Sequence, residues 1–231
     1  MLQLLVPRRC PICDMILPDP RKLICPACFD ALPWAADAGP RCMRCSRPLE
    51  DERAEYCARC EGAEHTFDRA RAVFLYEKGM RGSVLRMKFE NRREYLDFYA
   101  RSLQMESRDF LRAGRPQAVL PVPMYQRKVR TRGYDQCRIL AQKYAALTGL
   151  PLITDEVIRV RNTLPQKGLS RQERTRNLRG AFAVKDGTVL PPDVLLLDDI
   201  FTTGSTADEI SRVLRENGAE RISVLALCIT R

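Results

Sequence analysis

The feature that most constrains this 231-residue chain is a run close to its end, Val194-Leu195-Leu196-Leu197-Asp198-Asp199-Ile200-Phe201-Thr202-Thr203-Gly204-Ser205-Thr206. Four apolar residues without a polar break fit a strand covered on both faces, as in the middle of a parallel sheet flanked by helices. Two carboxylates follow at the carboxyl end of that strand, the edge at which open α/β sheets take ligands. Adjacent acids there accept hydrogen bonds from neighbouring hydroxyls, such as the 2′- and 3′-OH of a ribose. Thr202, Thr203, Gly204, Ser205 and Thr206 then turn into a helix. Their backbone N–H groups and hydroxyls converge where a helix N-terminus favours an anion, and Gly204 lets the backbone close tightly. Acids for a sugar beside amides for its phosphate describe a ribose 5-phosphate cradle.

The rest of the second half fits the same architecture. Residues 71–76 read as a strand, 80–110 as helical, 117–122 as a short strand ended by prolines, and 135–148 as an amphipathic helix stopped by Gly149. Residues 157–160 and 181–184 read as short strands around a long basic loop, 205–217 as a helix, and 222–228 as another buried strand. This strand–helix alternation predicts an α/β fold with a mainly parallel sheet.

The first 60 residues have a different texture. Cys10/Cys13, Cys25/Cys28, Cys42/Cys45 and Cys57/Cys60 form four Cys-x-x-Cys pairs, and eleven residues separate the pairs within each half. Each half thus reads as a four-thiolate zinc ribbon, a closed site that makes the zinc structural rather than catalytic. Sequential pairing into two ribbons is expected; an interleaved arrangement and a single occupied site are the alternatives. The scattered apolar residues here are too few for a core without a metal staple. The expected organisation is a double zinc-ribbon module over 1–64 and a second domain over 65–231. His65, the sole histidine, could be a metal ligand, but complete cysteine sets make that role unnecessary and it reads as an ordinary surface residue; Cys137 and Cys228 read as buried core thiols. No stretch approaches the roughly 18 apolar residues of a membrane span, and the first nine residues lack a signal-peptide core, so a soluble cytoplasmic protein without membrane insertion is expected.

The net charge of +10 is concentrated. Between Arg112 and Arg179 there are 15 Lys/Arg against 4 Asp/Glu, a segment that should face phosphate groups of a small substrate or of a nucleic acid. One basic loop carries Arg127, Lys128, Arg130 and Arg132 between a strand and the helix after Gly133, and suits a diphosphate. A second, from Arg159 through Arg174 and Asn177 to Gly180, suits a mobile lid or a nucleic-acid-binding arm.

The strand, acid pair and glycine turn together resemble the motif of the type I phosphoribosyltransferases. That resemblance gives Asp198 and Asp199 the ribose of 5-phosphoribosyl 1-diphosphate and Thr202, Thr203, Gly204, Ser205 and Thr206 its 5′-phosphate. Pro121-Val122-Pro123 followed by Arg130-Thr131-Arg132-Gly133-Tyr134-Asp135-Gln136, and Arg161-Asn162-Thr163-Leu164-Pro165-Gln166 followed by Gly180-Ala181-Phe182, resemble the competence protein F (ComF) family more narrowly. Asp135 stands where many relatives would carry asparagine. Including the cysteine segment, the likeness spans nearly the whole chain. It implies transfer of a phosphoribosyl group to an unidentified acceptor, with Mg²⁺ bridging the diphosphate and ribose hydroxyls. It also implies a role in handling single-stranded DNA with the competence machinery during natural transformation. A non-catalytic DNA-binding protein that uses the donor site as a sensor is the alternative.

Overall fold

A computed structural model describes residues 7–62, 64–163 and 168–231. Strands β1 (Arg69–Leu75), β2 (Ala118–Pro121), β5 (Asp193–Phe201) and β6 (Arg221–Ile229) form a four-stranded sheet in the order β1-β6-β5-β2. Every pairing in it is parallel. Strands β3 (Val157–Arg159) and β4 (Phe182–Val184) make a separate antiparallel pair.

The period-two alternation of β5 explains how the sheet is covered. Val194 and Leu196 pack with Ala207, Ile210, Val213 and Leu214 of helix α8 (Ser205–Glu216). Leu195 and Leu197 pack on the other face, among Tyr99 and Leu103 of helix α3 (Tyr95–Glu106) and Leu140 and Tyr144 of helix α6 (Gln136–Thr148). A strand apolar on both sides is therefore the spine of the molecule.

Three expectations are corrected. The helical stretch over 80–110 is three helices, α2 (Lys78–Phe89), α3 and α4 (Arg108–Gly114). The first break falls at Asn91, whose φ of 56° is left-handed, a conformation that asparagine tolerates better than most residues. The first basic loop contains helix α5 (Gln126–Arg132), closed by Gly133 at φ 82°. The second contains helix α7 (Arg171–Leu178), begun by a capping box in which the Ser170 hydroxyl accepts from the Glu173 amide and the Glu173 carboxylate accepts from the Ser170 amide. The Ser-x-x-Glu signature of such a box is in the sequence, on a segment too polar to show the apolar face of a packed helix. Leu164, Pro165, Gln166 and Lys167 of that segment lie outside the described residues.

The cysteine segment, which carries the short helix α1 (Pro26–Asp30), docks on both faces of the sheet. Cys42, Cys45 and Cys57 belong to the α8-side core, whereas Ile12, Leu23, Ile24 and Trp34 pack against the α3-side core. No helix among the described residues is long and apolar enough to cross a membrane.

Candidate functional site

The carboxyl ends of β5 and β6 open into a cleft of about 820 Å³. Asp198 and Asp199 lie near the end of β5, and Thr202, Gly204 and Thr206 continue the cleft wall. Gly204 has φ 84° and serves as the N-cap of α8, whose first internal bond runs from the Asp208 amide to the Gly204 carbonyl at 2.8 Å. A Cβ at Gly204 would also meet Phe201 at 3.1 Å and His65 at 3.2 Å, so the left-handed conformation calls for glycine and the space leaves a side chain tightly hemmed. The Thr203 and Ser205 hydroxyls are 2.9 Å apart beneath the turn.

The two acids differ in environment. Lys88 Nζ stands 2.9 Å from Asp199 Oδ1, and the Gln136 amide donates to Oδ2 at 2.7 Å. Burial disfavours the Asp199 charge, yet Lys88 and these hydrogen bonds hold its carboxyl below the ordinary range. Asp198 accepts from the Asp199 amide at 2.8 Å and forms no ion pair among the described residues. Burial, and then repulsion from Asp199, pushes it up to about 7. One carboxylate is thus firmly ionised while its neighbour is poised near neutrality.

Lys128 and Arg132, both anticipated, line the cleft together with Arg159 and Arg174 of the second basic segment. Arg174 donates to the Thr202 hydroxyl at 2.8 Å. Arg127 and Arg130 lie on α5 but are not part of the cleft wall. Sequence reasoning missed Lys88, Arg81, Tyr76 and Phe89, which also line it. Lys88 did leave a trace: it follows Val84 by four residues, on a helix that buries Met80, Val84 and Met87, so it occupies an apolar-face position.

His65 is corrected. Its side chain is only 2% exposed, with Nδ1 2.9 Å from Asp208 Oδ2 and Nε2 3.5 Å from Cys60 Sγ. Chain position beside the cysteines was the signal, but nothing local reveals a carboxylate 143 residues away. Cys137 and Cys228 are buried as expected, and Cys137 Sγ sits 4.0 Å from Asp198.

The cysteines gather sequentially, as Cys10/Cys13/Cys25/Cys28 and Cys42/Cys45/Cys57/Cys60. Sulfur separations of 3.7 and 3.9 Å in the first quartet and 3.6 Å in the second match the roughly 3.8 Å edge of a tetrahedron with Zn–S near 2.3 Å. A hydrogen bond from Cys60, against burial, draws Cys45 down to about 5. Burial opposes the charge at Cys10, but backbone hydrogen bonds outweigh it and bring the thiol to about 7, whereas Cys13, Cys28, Cys42 and Cys60 are pushed up by burial and by the neighbouring sulfurs; the case for metal is the sulfur geometry. Both quartets suit structural zinc. The trio Cys137, Asp198 and Asp199 also converges, but a soft thiol and a carboxylate already tied to Lys88 are a poor cage for Mg²⁺, which demands oxygen.

Residues 1–61 match the double zinc ribbon domain family. The chain is 35% identical to competence protein F of Haemophilus influenzae, across 81% of this chain and 84% of that one. It is 31% identical to the DNA utilization protein YhgH of Salmonella typhimurium, across 98% and 99%. Among solved structures, a hypoxanthine phosphoribosyltransferase from Staphylococcus aureus aligns with a TM-score of 0.35 and 15% identity, over 59% of this chain and 64% of that one, a little under two thirds of its length.

Proposed function

The chain belongs to the competence protein F family, and from that premise we propose that its cleft binds 5-phosphoribosyl 1-diphosphate and Mg²⁺ and transfers the phosphoribosyl group to an acceptor. The observation that carries this reading is the junction of Asp198 and Asp199 with the glycine-capped turn that opens α8. The acids accept the ribose hydroxyls. The amides and hydroxyls of Thr202, Thr203, Gly204, Ser205 and Thr206 take the 5′-phosphate. Lys128 and Arg132, with Arg159 and Arg174 beside them, face the diphosphate, whereas Arg127 and Arg130 lie outside the cleft wall.

In transfer, the bond from the ribose anomeric carbon to the diphosphate oxygen breaks and the electron pair leaves with diphosphate. A bond from that carbon to the acceptor forms, and the acceptor's proton passes to solvent or diphosphate. If bound, Mg²⁺ would neutralise charge on the diphosphate, and Asp198 would be the carboxylate able to help hold it, since Asp199 is paired with Lys88. The cations of this chain stabilise charge that grows on the leaving group. Calorimetry tests the donor site: wild-type chain should bind 5-phosphoribosyl 1-diphosphate with Mg²⁺, and the Asp198→Asn/Asp199→Asn chain should bind at least about tenfold more weakly. Equal affinity sinks the assignment.

A second reading is favoured by the cations of α5 that lie outside the cleft. They suit the phosphates of single-stranded DNA, with the donor site serving as a sensor. The names of the Haemophilus and Salmonella relatives, competence and DNA utilization, agree with that partner.

A further inference from the structure

We propose that Arg47, in the first knuckle of the second cysteine quartet, is a positioning residue for the turn at 202–206, so that this zinc site shapes the cleft as well as holding the fold. The claim rests on reading that turn as the 5′-phosphate site.

The knuckle itself is tightly framed. The Cys42 amide donates to the Arg47 carbonyl at 2.8 Å, and the Ser46 amide to the Cys42 carbonyl at 2.9 Å. Its outer side is fastened to strand β1: the Ala70 amide donates to the Arg44 carbonyl at 2.7 Å and the Ala72 amide to the Ser46 hydroxyl at 3.3 Å. Zinc bound by Cys42 and Cys45 would lock the inner side. The Arg47 main chain is therefore fixed with respect to the sheet before its side chain makes any contact.

From this frame the Arg47 side chain runs inward and the residue is only 7% exposed. One guanidinium nitrogen donates to the Thr202 carbonyl at 2.7 Å, the other to the Thr230 carbonyl. Thr202 directly follows β5 and Thr230 directly follows β6, and the Thr230 amide donates to the Phe201 carbonyl at 3.1 Å. A single planar fork thus ties together the ends of two neighbouring strands at the first residue of the turn. A guanidinium offers the two carbonyls separate nitrogens in a fixed planar fork, whereas lysine would have to reach both from a single Nζ on a flexible stem.

The charge balance points the same way. Arg47 spends a buried positive charge on neutral carbonyls, and its Nε has no hydrogen-bond partner among the described residues, an unfavourable state for an isolated guanidinium. Four thiolates and one Zn²⁺ sum to −2 and begin two residues away along the chain, which supplies the missing counter-charge. The last knuckle reaches the same place by another route. The His65 ring, against Cys60 and Asp208, lies under Gly204, and the Thr66 amide donates to Asp208 in the first turn of α8 at 2.9 Å.

The test compares the full zinc-loaded chain with Arg47→Ala and Arg47→Lys. Zinc content is measured together with two readouts: hydrogen exchange of the amides at 202–206, referenced to those of β2, and the calorimetric Kd for 5-phosphoribosyl 1-diphosphate with Mg²⁺. The expected result for Arg47→Ala is two zinc ions per chain, turn amides exchanging about tenfold faster and a Kd about tenfold weaker, with intermediate values for Arg47→Lys. Wild-type exchange and wild-type Kd in Arg47→Ala overturn the proposal; if that chain does not fold, Arg47→Lys decides on the same readouts. If the wild-type chain itself binds no donor, the functional reading fails, and the exchange comparison alone decides the role of Arg47.

Discussion

At the residue scale the cleft is governed by the inequality of two neighbouring acids. Lys88 keeps Asp199 ionised, whereas burial and the Asp199 charge raise Asp198 to about 7. A raised carboxyl means that the folded chain holds a proton which the unfolded chain gives up near pH 4. Stability attributable to Asp198 is therefore greatest at low pH, declines as pH rises from about 4 to about 7, and is level above that. Asp199 has the opposite sign, and its window lies below pH 4. Asp198 is partly exposed to solvent, so the decline is on the order of 1 kcal/mol rather than the full value of its shift. Urea unfolding at pH 5, 6, 7 and 8 should show this slope in the wild-type chain and a flatter one in Asp198→Asn, which should also be the more stable chain at pH 8. Parallel profiles would refute the assignment. Donor affinity should move the other way, rising between pH 6 and 8, because the ionised carboxylate is the better acceptor of ribose hydroxyls.

At the element scale, what could be read from the sequence depended on whether a segment's neighbours were local. Strand β5, its acids and its glycine turn were legible because an apolar run, a charge pair and a helix start are local signals with one common geometry. Helix α6 was legible from its period, and its cap shows why Asp135 can replace asparagine: the side chain's task is to accept from the Arg138 amide, at 3.0 Å, which either residue does. Helices α5 and α7 were hidden because their cations lack an apolar stripe, and none of α5 is buried. That exposure gives α5 a role distinct from the cleft wall. An Arg127→Ala/Arg130→Ala chain should retain donor binding, since neither residue lines the cleft, yet bind single-stranded DNA more weakly. In a salt titration the slope of log K against log salt should become shallower by roughly 0.7 for each phosphate that the variant no longer neutralises. An unchanged slope would remove α5 from any nucleic-acid surface.

At the scale of the whole molecule the two cysteine quartets have equal spacing and unequal standing. Spacing was enough to predict two tetrathiolate sites, but not that they sit in different mechanical environments, because burial is set by partners far along the chain. In the second quartet Cys42, Cys45 and Cys57 are 2%, 3% and 8% exposed and form part of the α8-side core. In the first, Cys13 is exposed and Cys25 and Cys28 are intermediate. That ribbon, whose Cys10 is buried, rests on the α2–α3 face through Ile12, Leu23 and Ile24 and through polar links: Arg86 donates to the Ile12 carbonyl at 2.6 Å, and Asp14 accepts from the Tyr95 hydroxyl at 2.5 Å and pairs with Arg92 at 3.1 Å. A chelator reaches the first site from solvent, but must wait for the core to open at the second. Zinc release into excess chelator should therefore be biphasic, with one ion per chain in each phase. Far-UV circular dichroism should be largely kept through the first phase and collapse with the second. Cys10→Ser/Cys13→Ser should delete the fast phase and leave a folded chain with one zinc, whereas Cys42→Ser/Cys45→Ser should not accumulate as folded protein. Release of both ions in one phase, or folded Cys42→Ser/Cys45→Ser protein, would show that the ribbons are equivalent and that the α8-side core stands without its metal.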